Sequence, residues 1–168
     1  MYAITIQRPW TWAILLPDIG ELQPDGCHLP PKRVENRTWA PPAAVLGRHI
    51  AIHAGQAYDH AGAAWIREQF GVYPPAPDVC PTGLVGCCCI SGVCNTSPDP
   101  WFCGPVGWDL SSVTPFVEPI AANGHLGFWA LSKEQEAAVW EQWYEQHAKD
   151  CPGRFTSFAL HGGMHDIE

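Results

Sequence analysis

The chain has 168 residues, 46% of them hydrophobic and 15% charged, a balance that supports one cored domain and excludes a globally disordered chain. Its formal net charge of -8 excludes a general nucleic-acid coat, whose affinity comes from neutralising phosphates with Lys and Arg. No run of about 18 uninterrupted apolar residues occurs, and residues 1–15 lack a basic start, a long apolar run and a small-residue cleavage site. Neither a transmembrane helix nor a signal peptide is therefore expected, and the expected location is cytoplasmic.

Taken in chain order, Tyr2 to Ile6 alternates and reads as a strand. Pro9 suits the first turn of a helix, and Trp10 to Leu16 form a short apolar one. Residues 17–31, rich in Pro, Gly and Asp, read as a surface loop. Lys32 to Trp39 reads as a turn beside a short strand, and Pro41 to Gly47 as a connection. Arg48 to Ala54 is a second strand, with Ile50 and Ile52 on one face. A helical pattern runs from Gln56 to Phe70 and stops at Gly71. Residues 72–81 are a loop. Gly83 to Val93 is the longest strand candidate, and Gly86 and Gly92 point to bulges or close backbone approach.

Asn95 to Pro105 reads as a loop. Val106 to Leu110 and Phe116 to Ile120 read as two short strands, and His125 to Leu131 as a closing strand. Ser132 and Gln135 form a capping-box pattern, starting a helix to about Lys149 whose apolar face holds Val139, Trp140, Trp143 and His147. Pro152 and Gly153 are expected to end it, with a frayed tail over residues 162–168. The class is α+β: a small β-barrel of five to six strands decorated by short helices, with a C-terminal helix. The expected domain covers 1–131, and 132–168 form the helix and tail.

Eight cysteines without a signal peptide read as small buried apolar residues. Cys27-His28 and Cys94 with Cys103 supply zinc-ligand types, but no C-x-x-C pair occurs, so no metal is expected.

Five of the Lys and Arg residues (Arg8, Lys32, Arg33, Arg37, Arg48) lie in residues 1–56 beside only Asp18, Glu21, Asp25 and Glu35. An anion site is therefore expected in this third of the chain. Three clusters stand out: Gln7-Arg8-Pro9-Trp10, the run from Lys32 to Trp39, and the run from Phe102 to Trp108. A turn that gathers Lys32, Glu35 and Arg37 would make Lys32 a base or nucleophile, Glu35 an acid/base and Arg37 a stabiliser of developing negative charge. The alternative is a surface ion-pair network worth roughly 0–1 kcal/mol per pair. Trp10, Trp39 and Trp108 are either core or a platform for a flat ring, where stacking contributes about 1–3 kcal/mol per base. Arg8, Arg37 and Arg48 would then meet phosphate or base edges.

The segments Ile6-Gln7-Arg8-Pro9-Trp10-Thr11-Trp12-Ala13-Ile14-Leu15, Lys32-Arg33-Val34-Glu35-Asn36-Arg37-Thr38-Trp39, Gly47 to Ala54, Pro81 to Cys87 and Gly124 to Leu131 resemble, in order, those of the ASCH domain family. The second is similar to its Lys-x-x-Glu-x-Arg-x-Trp signature, and the resemblance spans about residues 2–131. It implies a PUA-like barrel with a cleft between the first helix and the Lys/Glu/Arg segment. Family members are nucleic-acid-binding modules, a bacterial branch hydrolyses N4-acetylcytidine, and some members cut RNA. Lys32 fits that branch's lysine, whereas Glu35 stands where it has a threonine. The leading expectation is a reader of single-stranded RNA, other single-stranded nucleic acid or a modified nucleobase, without cofactor. The alternative is a metal-independent hydrolase of N4-acylated cytidine or RNA using Lys32 and Glu35. A third reading is a protein-interaction domain that docks a partner through Trp140 and Trp143.

Overall fold

A computed structural model describes residues 1–18, 20–22 and 28–150, with backbone only at 21–22 and 148–150. The expected helix end at Pro152-Gly153 and the tail lie outside the described residues, as does Cys27. Twelve elements follow one another: β1 (Tyr2–Arg8), α1 (Trp10–Leu15), β2 (Glu21–Leu22), β3 (His28–Leu29), β4 (Val34–Arg37), a 3₁₀ turn (Ala43–Val45), β5 (His49–Tyr58), α2 (His60–Phe70), β6 (Gly83–Cys94), β7 (Val106–Ile120), β8 (Phe128–Ala130) and α3 (Lys133–Asp150).

The α+β class holds. Six strands form one mixed sheet in the order β4-β7-β6-β5-β1-β8. The β1–β5 pair is parallel and the other pairs are antiparallel. The sheet is open: no ladder joins its edge strands β4 and β8. They approach through side chains instead, Trp39 meeting Phe128 edge-on at 6.0 Å between ring centroids. Because β8 pairs only with Tyr2, Ala3 and Ile4, the Thr5 carbonyl is left over and accepts from Arg37 Nη2 at 3.5 Å.

Alternation along β1 and β5 sends side chains to two layers. Ile4, Ile6, Ile50 and Ile52 join Cys88, Ile90 and Trp108 in the main core. Ala3 and Ala51 face the other way, where α3 covers them with Val139, and Trp143 packs against the same cluster. The C-terminal helix thus docks on its own sheet, and that contact uses one of the two tryptophans offered for a partner. The cysteine triplet splits as alternation requires: Cys87 lies under α3 and Cys88 in the main core. Burial pushes the Cys87 thiol up to about 12 and raises Cys88 as well, so both act as small apolar groups.

Several element boundaries differ from expectation, the closing strand among them, which is only Phe128–Ala130. The helix expected from Gln56 begins at His60, because β5 continues to Tyr58 and Asp59 caps the helix by accepting from Gly62 N at 2.8 Å. The two strands expected at 106–110 and 116–120 are one 15-residue strand, β7. Ser112 (φ 49°) and Pro115 look like breaks, yet β6 absorbs them through register shifts, including shifts just before Gly86 and just before Gly92. Gly86 is required by space: a Cβ there would lie 2.7 Å from Thr114 O and 2.5 Å from Leu15 Cδ2. Within the expected 17–31 loop, β2 and β3 pair as a small separate ladder.

Candidate nucleobase cavity

Strand β4 fixes the Lys/Glu/Arg segment. Its ladder sets Glu35 opposite Trp108 and Arg37 opposite Val106, so both side chains turn toward the Trp108 layer. Lys32 is anchored one turn earlier, its N–H donating to Ala13 O of α1 at 2.9 Å.

The three charged groups come together as a chain of donors around one carboxylate. Lys32 Nζ donates to Glu35 Oε2 at 2.6 Å and to Val34 O at 2.6 Å. Arg37 Nη2 lies 3.0 Å from Glu35 Oε1, and its guanidinium stands over the Trp108 ring at 5.5 Å. This is not the surface network that was the plain alternative, since Lys32 is 2% exposed and Glu35 7%. A pair buried this deeply costs desolvation, which excellent geometry only offsets.

A cavity of about 180 Å³ opens beside the pair, lined by Trp10, Lys32, Glu35, Asn36 and Cys103. The Trp10 ring lies 6.0 Å from Lys32 Nζ and is fixed by Nε1–H donating to Asp59 Oδ2 at 2.9 Å. Asn36 ties down the far wall, donating to Trp101 O at 2.8 Å and accepting from Cys103 N at 3.0 Å. Sequence reasoning passed over Asn36 and Cys103 as site residues. Both lay inside clusters it had singled out, and only the loop 101–103 folding over β4 makes them walls.

The other expected site residues separate. Arg8 is buried, and its guanidinium donates to four backbone carbonyls: Gly55 (3.0 Å), Pro77 and Cys80 (2.7 Å each) and Gln56 (2.5 Å). Its donors pin the end of β5 to the 77–80 loop, leaving no fork for phosphate. Trp108 is 1% exposed and stacked on Phe128 (5.5 Å, 16°), with Nε1–H donating to Trp39 O at 3.0 Å. It is a core residue and offers no face to a base. Trp39 remains 38% exposed and sits edge-on to Trp108. Arg48 is exposed and lines a different cavity, with Met1, His49 and Trp140. Of the eight residues expected, Lys32, Glu35 and Trp10 line the small cavity, and Arg37 braces it.

No family model matches the chain, and no curated protein matches it in sequence. No helix among the described residues is long and apolar enough to cross a membrane.

Proposed function

We propose that this chain is an ASCH-type, PUA-like module that takes one unpaired nucleobase, free or in single-stranded RNA, into the Trp10–Lys32–Glu35–Asn36–Cys103 cavity. The observation that carries the reading is a buried cation, held by two acceptors, facing a cavity with an aromatic wall. About 180 Å³ is well below the roughly 300–1,000 Å³ of a drug-sized site, which matches a single ring rather than a length of strand. Lys32 has three N–H groups, and Val34 O and Glu35 occupy two, which leaves a donor for a base carbonyl. Trp10 supplies the stacking face. Trp39, half-exposed beside Arg37, is available to a neighbouring nucleotide. With a net charge of -8, recognition rests on the base rather than on phosphates, so affinity should depend only weakly on salt. The resemblance to the ASCH signature supports the same placement, and side-chain contact between the sheet edges is compatible with a barrel-like curl.

The hydrolase reading draws on the 2.6 Å Lys32–Glu35 contact, but both partners of Lys32 are acceptors, which suits a donor better than a nucleophile. The test uses Cys103→Trp, an exposed position at the cavity, so that the ring obstructs the mouth without touching the buried pair. Short single-stranded RNAs and N4-acylated cytidines are titrated against both proteins, with binding read by fluorescence and product by mass. Binding by the wild type that falls about tenfold or more in Cys103→Trp is expected, since the variant blocks access to the Trp10 stacking face. Equal binding by both proteins rejects the cavity. Release of the acyl group by the wild type alone replaces the reader with the hydrolase.

A further inference from the structure

The larger cavity at the opposite end of β1 has its own chemistry. It measures about 490 Å³ and is walled by Tyr2, the 3₁₀ turn at Ala44 and Val45, the start of β5, and Trp140 of α3. That volume lies within the range of small-molecule sites. β1 spans seven residues at about 3.3 Å each, so about 20 Å separates this cavity from the one at Trp10 and Lys32.

Its polar groups are of unequal standing. Glu136 is engaged by the Met1 amine. Arg48 is exposed, and its side chain makes no hydrogen bond or ion pair with any described residue. His49 Nε2 is buried and unpartnered, and its ring is held edge-on to Trp140 and Trp143 at 5.8 Å from each. Buried polar groups are normally satisfied by protein or ordered water, and the neighbouring Trp143 Nε1 is in the same state as His49 Nε2. Burial lowers the pKa of His49, and the charge of His147 lowers it further. The imidazole is therefore neutral near pH 7 and offers one hydrogen-bonding nitrogen, not a second cation. What remains is a free guanidinium, a neutral imidazole ring and aromatic walls on Tyr2 and Trp140.

We infer that this cavity is a second binding site, for a small flat-ring molecule bearing a carboxylate or phosphate. The ring lies against Trp140, Tyr2 and the His49 imidazole, and the oxyanion pairs with Arg48. Neither the ring nor the anion alone meets both halves of the site.

The full chain is titrated with 4-hydroxybenzoate and uridine 5′-monophosphate as the two anion sources, and with benzyl alcohol and inorganic phosphate as half-ligands. Binding is followed through the indole N–H and imidazole resonances. One or both ring anions should give saturable shifts at Trp140 and His49, at least about tenfold tighter than either half-ligand, and Arg48→Gln should weaken them about tenfold or more. Arg48 has no described partner, so the variant folds as the wild type does. Absence of saturable shifts at Trp140 and His49, or affinity unchanged in Arg48→Gln, overturns the proposal. Shifts confined to Trp10 also overturn it, and would assign the ligand to the nucleobase cavity instead.

Discussion

The two ends of β1 carry the same kinds of residue and use them in opposite ways. At the Arg8 end every cation is committed. Arg8 holds four carbonyls, Lys32 holds Glu35 and Val34 O, and Arg37 closes the other side of the carboxylate. At the Tyr2 end Arg48 is committed to nothing described, and a histidine nitrogen is buried without a partner. The difference lies in desolvation. A cation removed from water must be met by acceptors inside the protein, so burial turns Arg8 and Lys32 into structural groups first and recognition groups second. An exposed arginine has no such obligation and is free for a ligand.

The comparison breaks most visibly at Glu35. Glu35→Leu strands the Lys32 ammonium 2% exposed with only a backbone carbonyl, and should cost about 3–5 kcal/mol of stability, read from the urea midpoint. Lys32→Met combined with Glu35→Leu removes both charges and should recover much of that loss. A single variant as stable as the wild type would mean that the pair is solvated in solution and that the cavity is open to water.

How much of this was legible in the sequence depended on range. Local signals were realised. Ser132 and Gln135 exchange the expected reciprocal bonds at 3.1 Å each, Gly71 takes the left-handed cap at φ 71°, and the alternation of Tyr2 to Ile6 became β1. The gathering of Lys32, Glu35 and Arg37 was legible because a short turn and a four-residue strand bring them together. Arg8 was not, since its acceptors lie at residues 55–56 and 77–80, and an arginine reads alike in sequence whether it meets phosphate or carbonyl. That Arg48 stands apart from the Lys32 cavity was hidden for a related reason. Because β5 runs parallel to β1, its first residues lie beside Tyr2 rather than beside Trp10, and no local pattern announces a parallel partner. The open sheet escaped notice because strand count is local, whereas closure depends on whether the two edges find each other.

A smaller effect sharpens the contrast through pH. His49 is held neutral below its ordinary pKa of 6.5 by burial, with His147 adding to the shift. The unfolded chain takes up a proton there more readily than the folded one, so stability is complete above about pH 6.5 and falls as pH drops toward the depressed native value. His53, 3% exposed with its Nε2 at 3.2 Å from Ala122 O, is lowered by burial too and acts in the same direction. Between pH 6.5 and 5 the melting temperature of the wild type should therefore drop more steeply than that of His49→Gln. Equal slopes would show that the imidazole at the Tyr2 end is already solvated.

The smallest expected change is the stability of Arg48→Gln. Substitutions at exposed positions without partners usually stay within about 0.5 kcal/mol, so its urea midpoint should coincide with that of the wild type. That near-silence is informative because Arg48 is exposed and its side chain has no described partner, whereas Glu35 is buried and paired. A loss of 2 kcal/mol or so would be of the size associated with a broken charged hydrogen bond. It would mean that Arg48 is already paired in solution, and that the Tyr2 end is built like the Arg8 end. A silent Arg48→Gln beside a damaging Glu35→Leu would leave a committed charge network near one end of β1 and an available charge near the other.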